Sequence, residues 1–143
     1  MKTLLASLCL MSGLGLAQPK PTCGFDVEVT QVKPGGVVWV LLFDDTGTFP
    51  TKRDKANRRV DVVPNGDTLQ VAFEGLTCGA EYAVAVVHDE NGNGKLDTGL
   101  FRIPREGLGS SRNARGFMGP PSFADAKVTA APGRTAVPIK LNY

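Results

Sequence analysis

Apolar and polar residues alternate along several short stretches of this chain. Residues 23–32 and residues 68–74 carry an apolar side chain at nearly every second position. A period of two is typical of a strand that buries one face. Residues 37–43 form a continuous apolar run instead, which indicates a central strand.

Turn residues separate these stretches at short intervals. Pro34-Gly35-Gly36 and Pro64-Asn65-Gly66-Asp67 have the composition of tight turns. Further strands are predicted at residues 60–63, 81–88, 126–130 and 135–141. Short strands with turns at this frequency indicate an antiparallel sandwich or barrel. We predict an all-β fold, an antiparallel sandwich of about seven strands with Greek-key-like connections.

Residues 98–124 depart from this pattern. They are rich in Gly, Pro, Ser and Arg, with no clear strand or helix. A long irregular segment in a small domain is usually functional or disordered. Apolar residues are spaced through it, and we expect them to anchor an ordered loop across the sandwich. They are Leu100, Phe101, Ile103, Leu108, Phe117, Met118 and Phe123.

Residues 1–17 have the pattern of a secretory signal peptide. Lys2 precedes a mostly apolar stretch, and Gly15-Leu16-Ala17 supplies the small residues of a cleavage site. We therefore expect an exported protein, periplasmic or secreted, with one domain at residues 18–143. No second apolar run reaches membrane-spanning length, so we expect no span in the mature chain.

Charge and cysteine content argue against two classes of function, nucleic-acid binding and thioredoxin-type redox activity. The chain has 16 Lys and Arg against 14 Asp and Glu, a balance that argues against nucleic-acid binding through bulk charge. Cys23 and Cys78 remain after the signal peptide, and in an oxidising compartment this pair predicts a disulfide, with two free thiols as the alternative. No C-x-x-C motif supports a thioredoxin-type redox role.

The stretch at residues 89–97 carries the most specific chemistry. Its sequence, D-E-N-G-N-G-K-L-D, matches the first nine positions of an EF-hand-type calcium loop, in which oxygen ligands recur at every second position. Gly94 lies where such a loop turns sharply. The expected ligands are the side chains of Asp89, Asn91, Asn93 and Asp97 and the backbone carbonyl of Lys95.

The calcium motif is incomplete. Leu100 occupies the twelfth position, where an EF-hand has a bidentate Glu, and the preceding residues 81–87 favour a strand over a helix. Glu106 is a candidate for the missing carboxylate; the alternatives are a surface side chain or one that fixes the loop backbone. A turn that binds no metal also explains the Gly, Asn and Asp residues. We expect any Ca²⁺ affinity to fall in the weak, extracellular range.

Other polar residues have alternative interpretations. His88, the single histidine, either makes a structural hydrogen bond or contacts a ligand. Arginines in the long segment suit bidentate anion binding, or they are solvated and paired with Glu106 and Asp125. These arginines are Arg102, Arg105, Arg112 and Arg115. Four nearby carboxylates leave a glycoside hydrolase open as a minor alternative, although the Gly-rich loop is a poor platform for catalysis. They are Asp89, Glu90, Asp97 and Glu106.

The ordered series of motifs resembles a known family. The series runs from Gly79-x-x-Tyr82 through the 88–97 stretch, then Ile103-Pro-x-Glu106-Gly-x-Gly109-x-Ser111, Asn113-Ala and Gly119-Pro-Pro-Ser-Phe-x-Asp125-Ala. This resembles the bacterial secreted domain-of-unknown-function family 2141, over residues 25–143. The resemblance implies a small exported β-sandwich related to prealbumin-like or carboxypeptidase-regulatory-like domains, and it implies no substrate. The expected fold class is thus a prealbumin- or Ig-like sandwich. The pair Cys23 and Cys78 is not among the residues that carry this resemblance.

These observations predict an exported, non-catalytic binding or structural module. In the first hypothesis, Ca²⁺ in the 89–97 loop orders the 98–124 loop, which presents a surface to a protein or glycan partner. In the second, His88, Arg102, Arg105 and Glu106 contact an anionic ligand or glycan without a metal. The third hypothesis is a small hydrolase.

Overall fold

The structure, a computed structural model, describes residues 13–143 and within them contains eight strands and one short α-helix. Residues 1–12 of the predicted signal peptide lie outside the described residues. The strands are β1 (Cys23–Thr30), β2 (Val37–Phe43), β3 (Arg58–Val62), β4 (Thr68–Leu76), β5 (Glu81–Asp89), β6 (Gly107–Ser110), β7 (Val128–Thr129) and β8 (Gly133–Lys140). The helix, α1, spans Phe123–Ala126. No helix in this part of the chain is long and apolar enough to cross a membrane.

The strands form two sheets that pack as a sandwich. One sheet has the order β4-β1-β8, and the other has the order β3-β2-β5-β6, with β7 paired to β5 beyond this path. The all-β prediction is confirmed. The pairing of β1 with β8 is parallel, which the expectation of an antiparallel fold did not include, whereas the other strand pairs are antiparallel.

The space between the sheets is filled by the alternating apolar positions. Phe25, Val27 and Val29 of β1 are fully buried and face residues such as Val40 and Val84 of the other sheet. Removing these side chains from water supplies the main favourable free energy of folding. The period-two pattern in the sequence therefore corresponds directly to this core.

The central strands β2 and β5 are buried on their outer face as well. Trp39, Leu41 and Phe43 of β2 belong to a second apolar cluster outside the sandwich. Phe49, from the loop after β2, and Phe123, at the start of α1, cover this face. The Phe49 ring centroid lies 5.5 Å from that of Phe43 and 6.0 Å from that of Phe123. Burial on both sides explains why these strands are almost continuously apolar.

Residues 98–124 are more regular than their sequence predicts. They contain β6, which pairs with β5, and the start of α1. The hydroxyl of Ser111 accepts a 2.9 Å hydrogen bond from the N–H of Val84 and donates a 2.5 Å bond to the carbonyl of Ala126. The segment is thus attached to β5 through polar as well as apolar contacts.

The expectation that seven apolar residues anchor this segment is wrong for most of them. Leu108 and Phe123 pack against the outer cluster. The other five are strongly exposed, because they lie at two bends that project from the sheet. They are Leu100, Phe101, Ile103, Phe117 and Met118.

The cysteine pair forms the predicted disulfide. Cys23 and Cys78 are bonded, with their Cα atoms 5.3 Å apart. The bond joins the start of β1 to the turn after β4 across a sequence separation of 55. It therefore constrains a large part of the unfolded chain.

Candidate functional site

The loop at residues 89–97 is curled around the buried side chain of Asp89, the last residue of β5. This side chain is 1% exposed. Its Oδ1 accepts a 3.2 Å hydrogen bond from the N–H of Asn93, and its Oδ2 accepts a 2.8 Å bond from the N–H of Gly94. Gly92 and Gly94 have φ values of 68° and 76°, which glycine adopts without steric cost. The carboxylate thus fixes the curvature of the loop.

The side chains of Asn91 and Asn93 converge on Asp97. The Asn91 amide donates a 2.5 Å hydrogen bond to Asp97 Oδ2, and the Asn93 amide lies 3.1 and 3.0 Å from the two carboxylate oxygens. The Oδ1 atoms of Asn91 and Asn93 accept N–H groups two residues further on, at 3.1 and 2.9 Å. The second of these N–H groups belongs to Lys95, which is exposed. Three predicted ligand side chains therefore meet at one point.

Glu106 closes this cluster from the neighbouring strand. It directly precedes β6 and is 4% exposed. Its Oε2 accepts a 3.1 Å hydrogen bond from the N–H of Asp97, whereas its Oε1 is buried without a hydrogen-bond partner among the described residues. Burial raises the pKa of the Glu106 carboxyl, the backbone N–H groups of Asp97 and Glu90 oppose this rise, and the negative charges of Asp89 and Asp97 add to it.

A polar cleft of about 410 Å³ lies beside these carboxylates. Asn91, Asp97 and Glu106 contribute to its lining, together with Glu90 and Arg105. The cleft gives solvent a route to the cluster, so an ion or a small polar ligand has access to it.

The residues of this cluster fit a hard cation in chemistry. Carboxylate, amide and carbonyl oxygens are the ligands that Ca²⁺ takes, six to eight at a time. In residues 13–143, no three His, Cys, Asp or Glu side chains are already arranged to hold a metal. The amide N–H groups of Asn91 and Asn93 face Asp97, so metal binding requires these amides to turn their oxygens toward the cation.

His88 lies on the opposite side of β5 from Asp89 and is fully buried. Its Nε2 donates a 2.7 Å hydrogen bond to the carbonyl of Gly35, which fixes the tautomer, because a carbonyl only accepts. Its Nδ1 then accepts a 2.7 Å bond from the Tyr143 hydroxyl, which itself accepts from the N–H of Lys33 at 3.0 Å. Both ring nitrogens are engaged, which favours the structural alternative for His88.

Tyr143 is a partner that the sequence did not reveal. It lies 55 residues from His88, and no local pattern links the two positions. Its ring also packs over Gly107, where a Cβ atom would lie 2.5 Å from the ring. Burial is the main cause that raises the pKa of Tyr143, and the N–H of Lys33 partly offsets this effect.

The four arginines of the long segment are exposed and do not act as one cluster. Arg105 lines the polar cleft, whereas Arg102 and Arg115 line a different, apolar groove. Within the described residues, neither Glu106 nor Asp125 forms an ion pair with any of them. Arg115 donates a hydrogen bond to the side chain of Asn142.

Comparison with known proteins identifies a family but no characterised relative. No curated protein and no solved structure matches the chain. The model of a family described as "Uncharacterized protein conserved in bacteria (DUF2141)" matches residues 27–138. The matched range includes the 89–97 loop, Glu106 and most of both sheets. The chain therefore belongs to this bacterial family, as its motifs predicted.

Proposed function

We propose that this protein is an exported, non-catalytic binding module whose 89–97 loop binds Ca²⁺ together with Glu106. The ion would be bound by side-chain oxygens of the loop and by the Glu106 carboxylate, which replaces the glutamate absent at position 100. Bound Ca²⁺ orders the 98–124 segment, and that segment presents the binding surface to a protein, glycan or small-molecule partner.

The unpaired oxygen of Glu106 is the observation that carries this proposal. Oε1 is buried, lacks a hydrogen-bond partner among the described residues, and lies in a cluster with two other carboxylates, those of Asp89 and Asp97. A buried acceptor left unpaired costs about 1–3 kcal/mol, and more when it is charged. A cation at this position removes that cost and the repulsion among the three carboxylates.

Two backbone hydrogen bonds link the proposed metal site to the first residues of the 98–124 segment. The N–H of Arg105 donates a 3.0 Å hydrogen bond to the carbonyl of Asp97, and the N–H of Gly99 donates a 2.7 Å bond to the carbonyl of Ile103. Residues 97–106 thus form a narrow lobe with Asp97 and Glu106 at its two ends. An ion held by both carboxylates fixes the two ends relative to each other.

Export is part of the proposal, and two observations support it. The first 17 residues have the pattern of a signal peptide, and the Cys23–Cys78 disulfide suits an oxidising compartment. Extracellular calcium modules bind at about 10⁻⁴–10⁻³ M. An affinity in this range suits an environment in which Ca²⁺ is abundant.

Thermal unfolding of the exported protein in 5 mM Ca²⁺ and in EGTA, at constant ionic strength, tests the metal site. We expect Ca²⁺ to stabilise the protein by about 1–2 kcal/mol, an increase of several degrees in Tm. Glu106→Gln should lose this increase, because the amide supplies only one neutral oxygen. Glu90→Gln is the matched control: it removes a charge at the cleft but should keep the increase.

Superimposable melts of the wild type in Ca²⁺ and EGTA would refute the metal site. A Ca²⁺ effect that Glu90→Gln reduces as much as Glu106→Gln would also refute it, because the effect would then reflect nonspecific screening of negative charge. Mg²⁺ at the same concentration provides a second comparison, since it demands a stricter octahedral geometry.

A further inference from the structure

A second concave site lies between the sandwich and the projecting bends of the 98–121 segment. It is a groove of about 800 Å³, and most of its lining is apolar. Ala85 and Val87 of β5 and Leu108 of β6 form its floor. The volume falls within the range of about 300–1,000 Å³ that is typical of small-molecule sites.

Large apolar side chains stand at the rim of this groove with little cover. Phe101, Ile103 and Met118 line it and are 91%, 62% and 93% exposed. Contiguous exposed apolar surface on a globular protein marks a place where something binds. The groove therefore offers apolar contact both on its floor and along its edges.

The charged side chains that line the groove are all cationic. They are Arg53, Arg102, Arg115 and Lys140, and no Asp or Glu belongs to the described lining. None of the four forms an ion pair within the described residues. The hydrogen bond from Arg115 to Asn142 orients its guanidinium group. Guanidinium groups favour carboxylates, which accept two parallel hydrogen bonds from them.

We propose that this groove binds a small amphipathic anion, a single apolar chain that ends in a carboxylate. The chain lies along the floor formed by β5 and β6, and the carboxylate pairs with the arginines at the rim. A purely apolar ligand would leave the cations without a partner, and an inorganic anion would leave the apolar floor unused. The concave shape favours one chain over a flat membrane surface.

This inference deepens the proposed function by naming a ligand class, and it does not require the metal. Isothermal titration of the protein with oleate, below the concentration at which oleate forms micelles, tests it directly. We expect saturable binding of one oleate per chain. Oleyl alcohol, which keeps the chain, and acetate, which keeps the carboxylate, should each bind at least about tenfold more weakly.

Variants at the rim locate the carboxylate. Arg102→Gln and Arg115→Gln, tested singly and together, should weaken oleate binding by about tenfold or more in the double variant. Arg112→Gln is the matched control, because Arg112 lies in the same segment but does not line the groove. It makes the same change in charge as either single variant and should leave the affinity unchanged.

Three results would overturn the inference. The first is no saturable oleate binding, and the second is equal loss of affinity in Arg112→Gln and in the double variant. The third is binding of anionic phosphatidylglycerol vesicles without binding of monomeric oleate, which would assign the exposed rim to a membrane surface. Because calcium oleate is insoluble, oleate is titrated in EGTA and the melts in Ca²⁺ and in EGTA are recorded without oleate. Oleate binding with no effect of Ca²⁺ on the melts would refute the metal site alone; a Ca²⁺ effect on the melts without oleate binding would refute the groove alone.

Discussion

The carboxylate of Glu106 accepts a 3.1 Å hydrogen bond from the backbone N–H of Asp97, while the side chain of Asp97 carries a negative charge nearby. The backbone of one residue thus attracts Glu106 and its side chain repels it. Burial is the main cause that raises the pKa of Glu106, and the negative charges of Asp89 and Asp97 add to this rise, whereas the backbone N–H groups of Asp97 and Glu90 oppose it.

The raised pKa of Glu106 predicts a pH dependence of stability in the absence of metal. A carboxyl whose pKa is higher in the folded state stabilises the fold while it is protonated. This contribution is fully present below its ordinary pKa of 4.5 and is lost as pH rises through the folded-state pKa. In EGTA, Glu106→Gln should therefore match the wild type at low pH and exceed it in stability at pH 7.

Urea denaturation of both proteins across this pH range measures the effect of Glu106 together with its coupling to Asp89 and Asp97, because carboxyls outside this cluster titrate equally in the two. The sign is the decisive result. If Glu106→Gln is less stable than the wild type at pH 7 in EGTA, the ionised carboxylate stabilises the fold. That result would refute an unfavourable burial of the Glu106 charge.

Two adjacent glycines differ in how closely they approach the calcium-type loop. Gly36 has φ 65°, and a Cβ atom there would overlap the carbonyl oxygen of Asp89 and lie 2.8 Å from backbone atoms of Glu90. Gly35 has φ 90° with nothing within 4 Å of that position. Alanine at either position costs about 1–2 kcal/mol through its backbone conformation. Only Gly36→Ala should cost more than this, and only it should weaken the Ca²⁺ effect on Tm. Equal losses at the two positions would show that the contact with Asp89 has no energetic role.

The hydroxyl of Tyr143 holds the buried imidazole of His88. Tyr143→Phe should destabilise the protein by about 1–3 kcal/mol, because Nδ1 of His88 loses its donor in a buried position and the N–H of Lys33 loses its acceptor. Tyr82→Phe is the comparison, since among residues 13–143 its hydroxyl accepts only the N–H of the exposed Thr77. Urea denaturation should rank Tyr143→Phe as the more damaging change; the reverse order would contradict this account of His88.

The disulfide should supply a large share of the stability. Replacing Cys23 and Cys78 together by Ala should cost about 3–4 kcal/mol, because the sequence separation of 55 makes the closed loop long. A reductant should lower the Tm of the wild type and leave the double variant unchanged. Unchanged melting of the wild type after verified reduction would show that the sheet pairing of β1 with β4 already provides this constraint.

The sequence predicted the sandwich well because its strands obey a period of two that burial enforces. Alternation in β1 and β4 and the apolar run of β2 each correspond to a strand. The pattern does not predict strand β6, because Gly107 and Gly109 resemble loop residues. Residues distant in sequence require glycine at both positions. A Cβ atom at Gly107 would lie 2.5 Å from the Tyr143 ring, and a Cβ atom at Gly109 would lie 2.6 Å from the side chain of Ile139.

A local sequence signal marks the start of helix α1, although the apolar pattern does not indicate a helix there. Ser122 accepts a 3.1 Å hydrogen bond from the N–H of Asp125, and its hydroxyl donates to the carboxylate of Asp125 at 2.6 Å. This Ser-x-x-Asp spacing is a variant of the capping box that starts helices.

At the candidate site, the spacing of Asp, Asn and Gly predicts the side chains of the 89–97 loop. The burial of Glu106 and its unpaired oxygen cannot be predicted in this way, because they depend on the pairing of β6 with β5.

A tryptophan on the outer face of β2 and β5 serves as an intrinsic fluorescence probe of that face. Trp39, the single tryptophan, is 4% exposed on this face, within the apolar cluster that residues of the long segment help to cover. The guanidinium carbon of Arg59 lies 4.6 Å from its ring centroid. Intrinsic fluorescence therefore reports on the packing of one defined surface. Local opening of that cover would shift the emission of Trp39 to longer wavelength before the sandwich itself unfolds.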